Sequence, residues 1–543
     1  MLYKLVLPLF SSLLLLNASL IPINALTANE GPEAASFRIT NYFAPDTPTY
    51  DEVVQIAKSL NLPPGLKSKL DLLLTTPFVS NEAYSGGLAR QLSKDEKLGS
   101  FIRVGTWNIE YGLKSDEIEL ALEDPEAFKR QIKYKPNSKE YREALEQIEL
   151  LRSVDVLVLN EVDLGLKRTA YRNVAREMAE AFKMNYCYGV EFIEVDPVNL
   201  GTERAREEIS AKGKSKPGEL IAIDKQRFSG LHGTAILSRF PIKRAALIPL
   251  KYKPYDWYGS EKKAISLPEA ARRELGRLAF LEGVAREVRY GGRCVLIAEL
   301  DVPQLAEKSL TVVATHLENR CGPSDRRRQM QEVLSLISNV TGPLVLAGDL
   351  NTSGSNHRPT TTSKEVLRRV VSKEFWAGQL MRAITPFGLT SGILFESAKF
   401  APSALDPTSK GLVFFAPNKE SGLFKELENM RFADGYSFDF RGDGARTVNG
   451  TKGTLANSNQ RSRKKGFIST YATKRTFWAV GKSKLDWIFV KAYTINPKGL
   501  NEPYRMAPHF ARTLERLNHS QGHRISDHNP ITVDLPLEEP RPF

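Results

Sequence analysis

The chain has 543 residues, of which 41% are hydrophobic and 26% charged. That balance excludes a largely disordered or fibrous protein, and the length suits either several domains or one enlarged α/β domain. The formal net charge of +13 favours polyanionic partners such as nucleic acid, anionic lipid or phosphorylated substrates, although a solvated basic surface gives the same sum.

At the start of the chain, Lys4 precedes an apolar run from Leu5 to Leu16, and small residues follow at Ala25, Thr27 and Ala28. This is the layout of a secretory signal peptide over residues 1–28, and the run is short for a membrane span. The mature protein is therefore expected outside the cytoplasm, with an uncleaved N-terminal anchor as the alternative. Residues 29–100 carry helical patterns such as Asp51 to Ala57, interrupted by Pro63-Pro64-Gly65 and Gly86-Gly87. They read as an N-terminal helical extension packed on the main domain. Cys187, Cys294 and Cys321 allow at most one disulfide, and no CxxC pair suggests zinc.

From residue 101 to about 537, strands alternate with helices. Arg103–Ile109, Val154–Val162, Tyr186–Val195 and Thr234–Ser238 have strand composition. Leu278–Val288 and Cys294–Asp301 flank Gly291-Gly292 and suggest a hairpin. Leu310–His316, Pro343–Leu350, Leu485–Val490 and Ile531–Leu535 follow, with helical periodicity at Arg168–Phe182 and Asp325–Ile337. Polar insertions interrupt the rhythm at about 197–230 and 356–482, the second holding the basic residues Arg461, Arg463, Lys464 and Lys465. Sheets covered by helices are the expectation, an α/β layered domain.

Six hydrophobic strands stop on or beside a carboxylate, an amide or a histidine. These ends are Asn108-Ile109-Glu110, Asn160-Glu161, His316-Leu317-Glu318, Gly348-Asp349-Leu350-Asn351, Asp486 and Asp527-His528. Each alone is an ordinary turn, but ligand sites in sheet proteins gather at strand ends. Carboxylates and amides are hard oxygen ligands for Mg²⁺, Mn²⁺ or Ca²⁺, and His–Asp pairs move protons or hold phosphoryl oxygens. Together they suit attack of water on a phosphate ester. Gly348 is expected to leave room for substrate or metal beside Asp349.

The ordered series TWNIE, LNEVD, HGTAILSRFPI, THLEN, GDLN, LDWIFV and SDHNP resembles the endonuclease/exonuclease/phosphatase superfamily, over roughly 101 to 537. The resemblance implies a four-layered sandwich, two mixed β-sheets face to face with helices on the outer faces. It implies Glu161 as principal metal ligand with Asn108 beside it and Asp527 as a further metal-site residue. Asp349 and Asn351 would orient the attacking water and grip the phosphate, His528 would be held by Asp486, and His316 would stand as a second catalytic histidine. Glu110 would support the metal site. His232 would line the cleft or end a loop, and His519 and His523 read as loop residues. In the Asp325-Arg326-Arg327-Arg328 run, one arginine pointing inward could support the cleft.

These features point to an exported phosphoesterase that uses Mg²⁺, Mn²⁺ or Ca²⁺ on a phosphate-ester substrate, with no obligate protein partner evident. The basic charge favours nucleic acid. A sphingomyelinase- or inositol-phosphatase-like enzyme is the alternative, and membrane action would require an exposed apolar hairpin, for which residues 254–259 (PYDWYG) are the candidate. A non-catalytic binding protein on the same fold is disfavoured by the intact set Glu161, Asp349, Asn351, Asp527 and His528.

Overall fold

The computed structural model describes residues 42–87, 91–195, 202–204, 220–262, 287–354, 406–408, 411–412, 416–441, 444–448, 450, 467–477, 480–493 and 504–539. The leader-like segment, Arg461 to Lys465 and much of both expected insertions lie outside these residues.

Hydrophobic runs such as Val156-Leu157-Val158-Leu159 are buried on both faces, which is why they read as continuous rather than alternating. Val156 and Val158 join Val104, Ile236, Leu296, Ala298, Val312, Val345 and Ile488 in one core cluster. Leu157 and Leu159 face the other way, into a cluster with Ala175, Met178 and Ala179 of the helix Val174–Phe182. The first core lies between two sheets, and the second lies between one sheet and its helices.

The first sheet runs in space through Tyr42–Phe43, Phe78–Ser80, Asn185–Glu194, Leu231–Ser238, Val156–Leu164, Gly99–Asn108, Ile531–Pro536 and His509–Thr513. The second runs through Ile242–Pro249, Cys294–Asp301, Ser309–His316, Leu344–Asp349 and Asp486–Lys491. Each contains one parallel pair, Gly99–Asn108 with Val156–Leu164 and Ser309–His316 with Leu344–Asp349. On the outside of the second sheet, Phe424 of the helix Ser421–Asn429 packs 4.6 Å from Trp487, centroid to centroid. The molecule is a mixed α/β sandwich of helix, sheet, sheet and helix layers.

Three sequence expectations change. The segment before Phe101 does supply the helices Tyr50–Lys58 and Pro64–Leu73, yet Phe78–Ser80 also pairs with Asn185–Glu194, and Ser93–Asp95 pairs with Gly99–Asn108. The helix expected from Arg168 begins only at Val174, because the Asn173 side chain accepts from the Arg176 amide at 3.1 Å and caps it there. Gly291-Gly292 does not turn a hairpin. Arg289–Gly291 pairs with Asn185–Glu194 of the first sheet, whereas Cys294–Asp301 belongs to the second, so the glycines carry the chain between sheets. Residues 278–286 lie outside the described set. All three cysteines are buried and free.

Gly348 is also needed for a different reason than expected. Its φ is +140°, and a Cβ there would sit 1.9 Å from the Thr315 carbonyl oxygen of the parallel neighbour and 3.1 Å from Asn160 Oδ1. The space beside Asp349 is filled by protein, not left for a ligand. Gly348→Ala should therefore destabilise the fold by about 3 kcal/mol, combining overpacking with a disfavoured φ. Denaturant unfolding measures this, and a loss under about 0.5 kcal/mol would place the cause of the glycine elsewhere.

Candidate active site

Strand register puts the site together. His316 lies opposite Asp349 in the parallel pair, Asp349 opposite Asp486 in the antiparallel one, and Asn108 opposite Asn160 in the first sheet. The two sheets then meet at Asp349. Its backbone N–H donates to Asn160 Oδ1 at 2.8 Å, and Asn108 Nδ2 donates to its Oδ2 at 3.2 Å. Asn351, at φ +50°, turns its backbone N–H onto Asp349 Oδ1 at 2.8 Å while its side-chain amide donates to Leu317 O. The Nε2 atoms of His316 and His528 each stand 3.7 Å from Asp349 Oδ2. Burial pushes the Asp349 carboxyl up to about 6; His528 opposes the rise and Asp486 adds to it.

His528 is fixed from several directions. Its Nδ1 lies 2.8 Å from Asp486 Oδ2, and its carbonyl accepts from Trp107 Nε1 at 2.9 Å and Asn518 Nδ2 at 3.0 Å. Ser526 Oγ donates to Asn108 O and accepts the His528 amide, tying this loop to the end of the Asn108 strand. Burial disfavours a charged ring, but Asp486 and Asp349 outweigh it, and the His528 pKa stands well above the ordinary imidazole value.

A polar circuit runs behind these residues. Asn160 Nδ2 donates to Thr234 Oγ1 at 3.1 Å, and the Thr234 hydroxyl donates to Glu191 Oε1. Arg293 Nη1 donates to Glu191 Oε2 at 2.7 Å and to His316 Nδ1 at 2.8 Å. The circuit stops short of Asp349, since His316 Nε2 stands 3.7 Å from Asp349 Oδ2. Asn160 and Arg293 were not among the expected site residues; the signal for Asn160 was an amide inside an otherwise apolar strand.

Glu161 sits at φ +53° in a bulge, where the register passes from Leu159↔Ala235 to Val162↔Gly233. The extra residue lets Asn160 and Glu161 be aimed independently. Asn108 Oδ1 accepts the Glu110 amide at 3.1 Å, and Glu110 Oε2 accepts the Asp527 amide at 3.2 Å. Burial, then the charges of Glu110 and Glu161, hold the Asp527 carboxyl well above its usual range. Hard oxygen donors crowded by their own like charge are a donor set that a divalent cation relieves, so these residues fit such an ion. Among the described residues, the His and carboxylate ligand atoms that lie within 4.8 Å of one another are those of Asp349, Asp486 and His528. There, however, His528 Nδ1 is already committed to Asp486, and the trio is better suited to holding protons.

The remaining candidates separate. His232 pairs with Asp163 at 2.9 Å and packs its ring 5.3 Å from Tyr111. His519 bonds the Glu515 carbonyl and His523 pairs with Glu117, so those two do not converge on a ligand. Arg326 is the inward arginine: fully buried, it pairs with Glu420, whose Oε1 accepts the Gly354 amide at 3.1 Å just beyond Asn351. Arg327 points outward to Glu426. Residues 254–259 form no exposed hairpin, since Trp257 is buried and donates to Glu318 at 2.8 Å, and Tyr258 donates to the Ile56 carbonyl at 2.6 Å.

The short His528–Asp486 contact predicts non-additivity. Asp486→Asn should lower kcat, His528→Ala should lower it at least as far, and the double variant should be little worse than His528→Ala. Losses that simply multiply would show the two side chains acting separately.

Comparison with known proteins bears on the whole domain. A family profile described as the Endonuclease/Exonuclease/phosphatase family matches residues 105–528. No curated protein matches the chain. Among solved structures, an endonuclease/exonuclease/phosphatase from Beutenbergia cavernae DSM 12333 is 16% identical, over 80% of this chain and 72% of that one, with a TM-score of 0.34. A 3'-5' exonuclease from Neisseria meningitidis is 12% identical over 80% of this chain and 99% of that one, with a TM-score of 0.35. With its profile match spanning the strand ends that carry the site, the chain belongs to the endonuclease/exonuclease/phosphatase family of metal-dependent phosphoester hydrolases.

Proposed function

We propose that the protein is an exported phosphodiesterase that cleaves nucleic acid with a cation of the Mg²⁺ type, Mn²⁺ and Ca²⁺ being the alternatives. The observation that carries the chemistry is the placement of two histidine Nε2 atoms 3.7 Å from one Asp349 oxygen. Asp349, with its carboxyl pushed up to about 6, is tuned to accept a proton near neutral pH. Asp349 takes that proton from water as the water oxygen bonds to phosphorus and the ester P–O bond breaks, the departing alkoxide oxygen taking a proton from solvent. His528, charged and held by Asp486, hydrogen-bonds a non-bridging phosphoryl oxygen, and Asn351 supports the phosphate beside it. Glu161, Asn108 and Asp527, with Glu110 behind them, would hold the cation, which supplies Lewis-acid stabilisation of the developing charge.

Nucleic acid is supported by the net charge of +13. The membrane-lipid alternative loses its sequence support, because Trp257 packs inward. Export rests on the leader-like composition of residues 1–28. The decisive assay offers DNA, RNA, sphingomyelin and inositol phosphates to the purified protein with each cation. Cleavage of DNA or RNA, lost with a chelator and restored by added metal, is the expected result. Turnover confined to lipid or inositol phosphate would refute the substrate reading.

Glu161→Gln and Asp349→Asn should each lower kcat by about 10²–10³ while the fold is kept. Circular dichroism and the unfolding midpoint monitor the fold. Wild-type turnover in either variant would remove that residue from the mechanism.

A further inference from the structure

We propose that Arg293 fixes His316 as a neutral imidazole with its proton on Nε2, so that His316 serves the centre as an uncharged hydrogen-bond donor. The role in catalysis rests on the phosphoester reading above; the state of the ring does not.

The argument is one of donors and lone pairs. A guanidinium has five N–H groups and no acceptor, so the 2.8 Å contact between Arg293 Nη1 and His316 Nδ1 requires the lone pair on Nδ1. A doubly protonated ring would set N–H against N–H. The same Nη1 gives its second hydrogen to Glu191 Oε2 at 2.7 Å, one nitrogen serving two acceptors. Glu191 Oε2 is itself 3.8 Å from His316 Nδ1, and Arg293 takes the place of a direct carboxylate–histidine bond. The arginine is buried, with its Nε 3.6 Å from Glu318 and its guanidinium 5.2 Å from the Phe192 ring centre.

His316 Nε2 is then the protonated nitrogen. It is buried, has no hydrogen-bond partner, and at 3.7 Å stands too far from Asp349 Oδ2 to bond it. An N–H aimed at the catalytic carboxylate but unspent is placed for a phosphoryl oxygen. Among the groups facing the ring, Arg293, Arg289, His232 and His528 oppose its charging, and Glu191 and Asp349 stand on the acidic side. Burial, followed by Arg293, holds the His316 pKa well below the ordinary value. His528 presents its Nε2 at the same distance to the same oxygen, but its Nδ1 partner is the acceptor Asp486. The two rings thus meet opposite partners at Nδ1, a donor at His316 and an acceptor at His528.

Nitrogen NMR on full-length protein labelled at its 7 histidines tests this, with His316→Gln identifying the signal. His316 should show an unprotonated Nδ1 and protonated Nε2, unchanged between about pH 5 and 8. In Arg293→Met, His316 should begin to titrate in that range and the kcat profile should gain a new acidic limb; Arg293→Lys should restore the wild-type profile in part. A wild-type His316 that titrates or carries its proton on Nδ1 overturns the proposal, as does an Arg293→Met protein with an unaltered ring. The wild-type spectrum decides the matter even if Arg293→Met fails to fold, and it needs no substrate.

Discussion

A carboxylate out of water is costly unless its oxygens are answered by donors, and Asp349 lies where the two sheets face each other. Asn108 and Asn160 come from the first sheet, and Asn351 from the chain just past Asp349 itself. These bonds do not fully offset the desolvation, since the carboxyl remains pushed up to about 6. In the mechanism proposed above, that residual penalty is what suits the group to accept a proton. Satisfying Asp349 completely, by another arginine for example, would give a more comfortable fold and a poorer base. The sandwich therefore positions a group that it also destabilises, and its large apolar core between the sheets is what tolerates the cost.

Around this centre, buried charges are answered by buried partners, several of them shared in small networks. Arg168 grips Asp163 and Glu194, Arg293 grips Glu191, and Arg326 grips Glu420. Such pairs add little net stability, but removing one partner strands the other. Their effect is geometric. Arg293 fixes His316, and the Arg326–Glu420 pair fixes the chain just beyond Asn351.

Much of this was legible in the sequence, and for a definite reason. Apolar strands that end on Asn108, His316 and Asp349, begin at Asp486 or just after His528, or bulge at Glu161 announce a cluster because neighbouring strands collect such positions in one place. Nine of the expected strands appear within a few residues of their positions. What could not be read depends on neighbours distant in sequence. Gly348 announces only that a side chain is unwelcome; that the obstacle is the Thr315 carbonyl becomes visible only once two strands are parallel. Gly291-Gly292-Arg293 has the composition of a turn, which hid both the passage between sheets and the arginine that reaches His316. Asn160 and Asn518 look like any strand or helix-end amide until their hydrogen bonds to Asp349 and to the Ser526–His528 loop are known.

The contact from the Gly354 amide to Glu420, and from Glu420 to Arg326, has a consequence for how the domain can diversify. It clasps together two points of the chain that are 66 positions apart in sequence, immediately beyond the Asp349–Asn351 turn. Because the clasp and not the intervening chain sets the geometry at its base, the length of that segment is nearly decoupled from the site. Doubling such a segment costs only about 0.6 kcal/mol in closure entropy. The arrangement is that of a socket, in which the length of chain between the two clasped points is a weak constraint on the turn at its base.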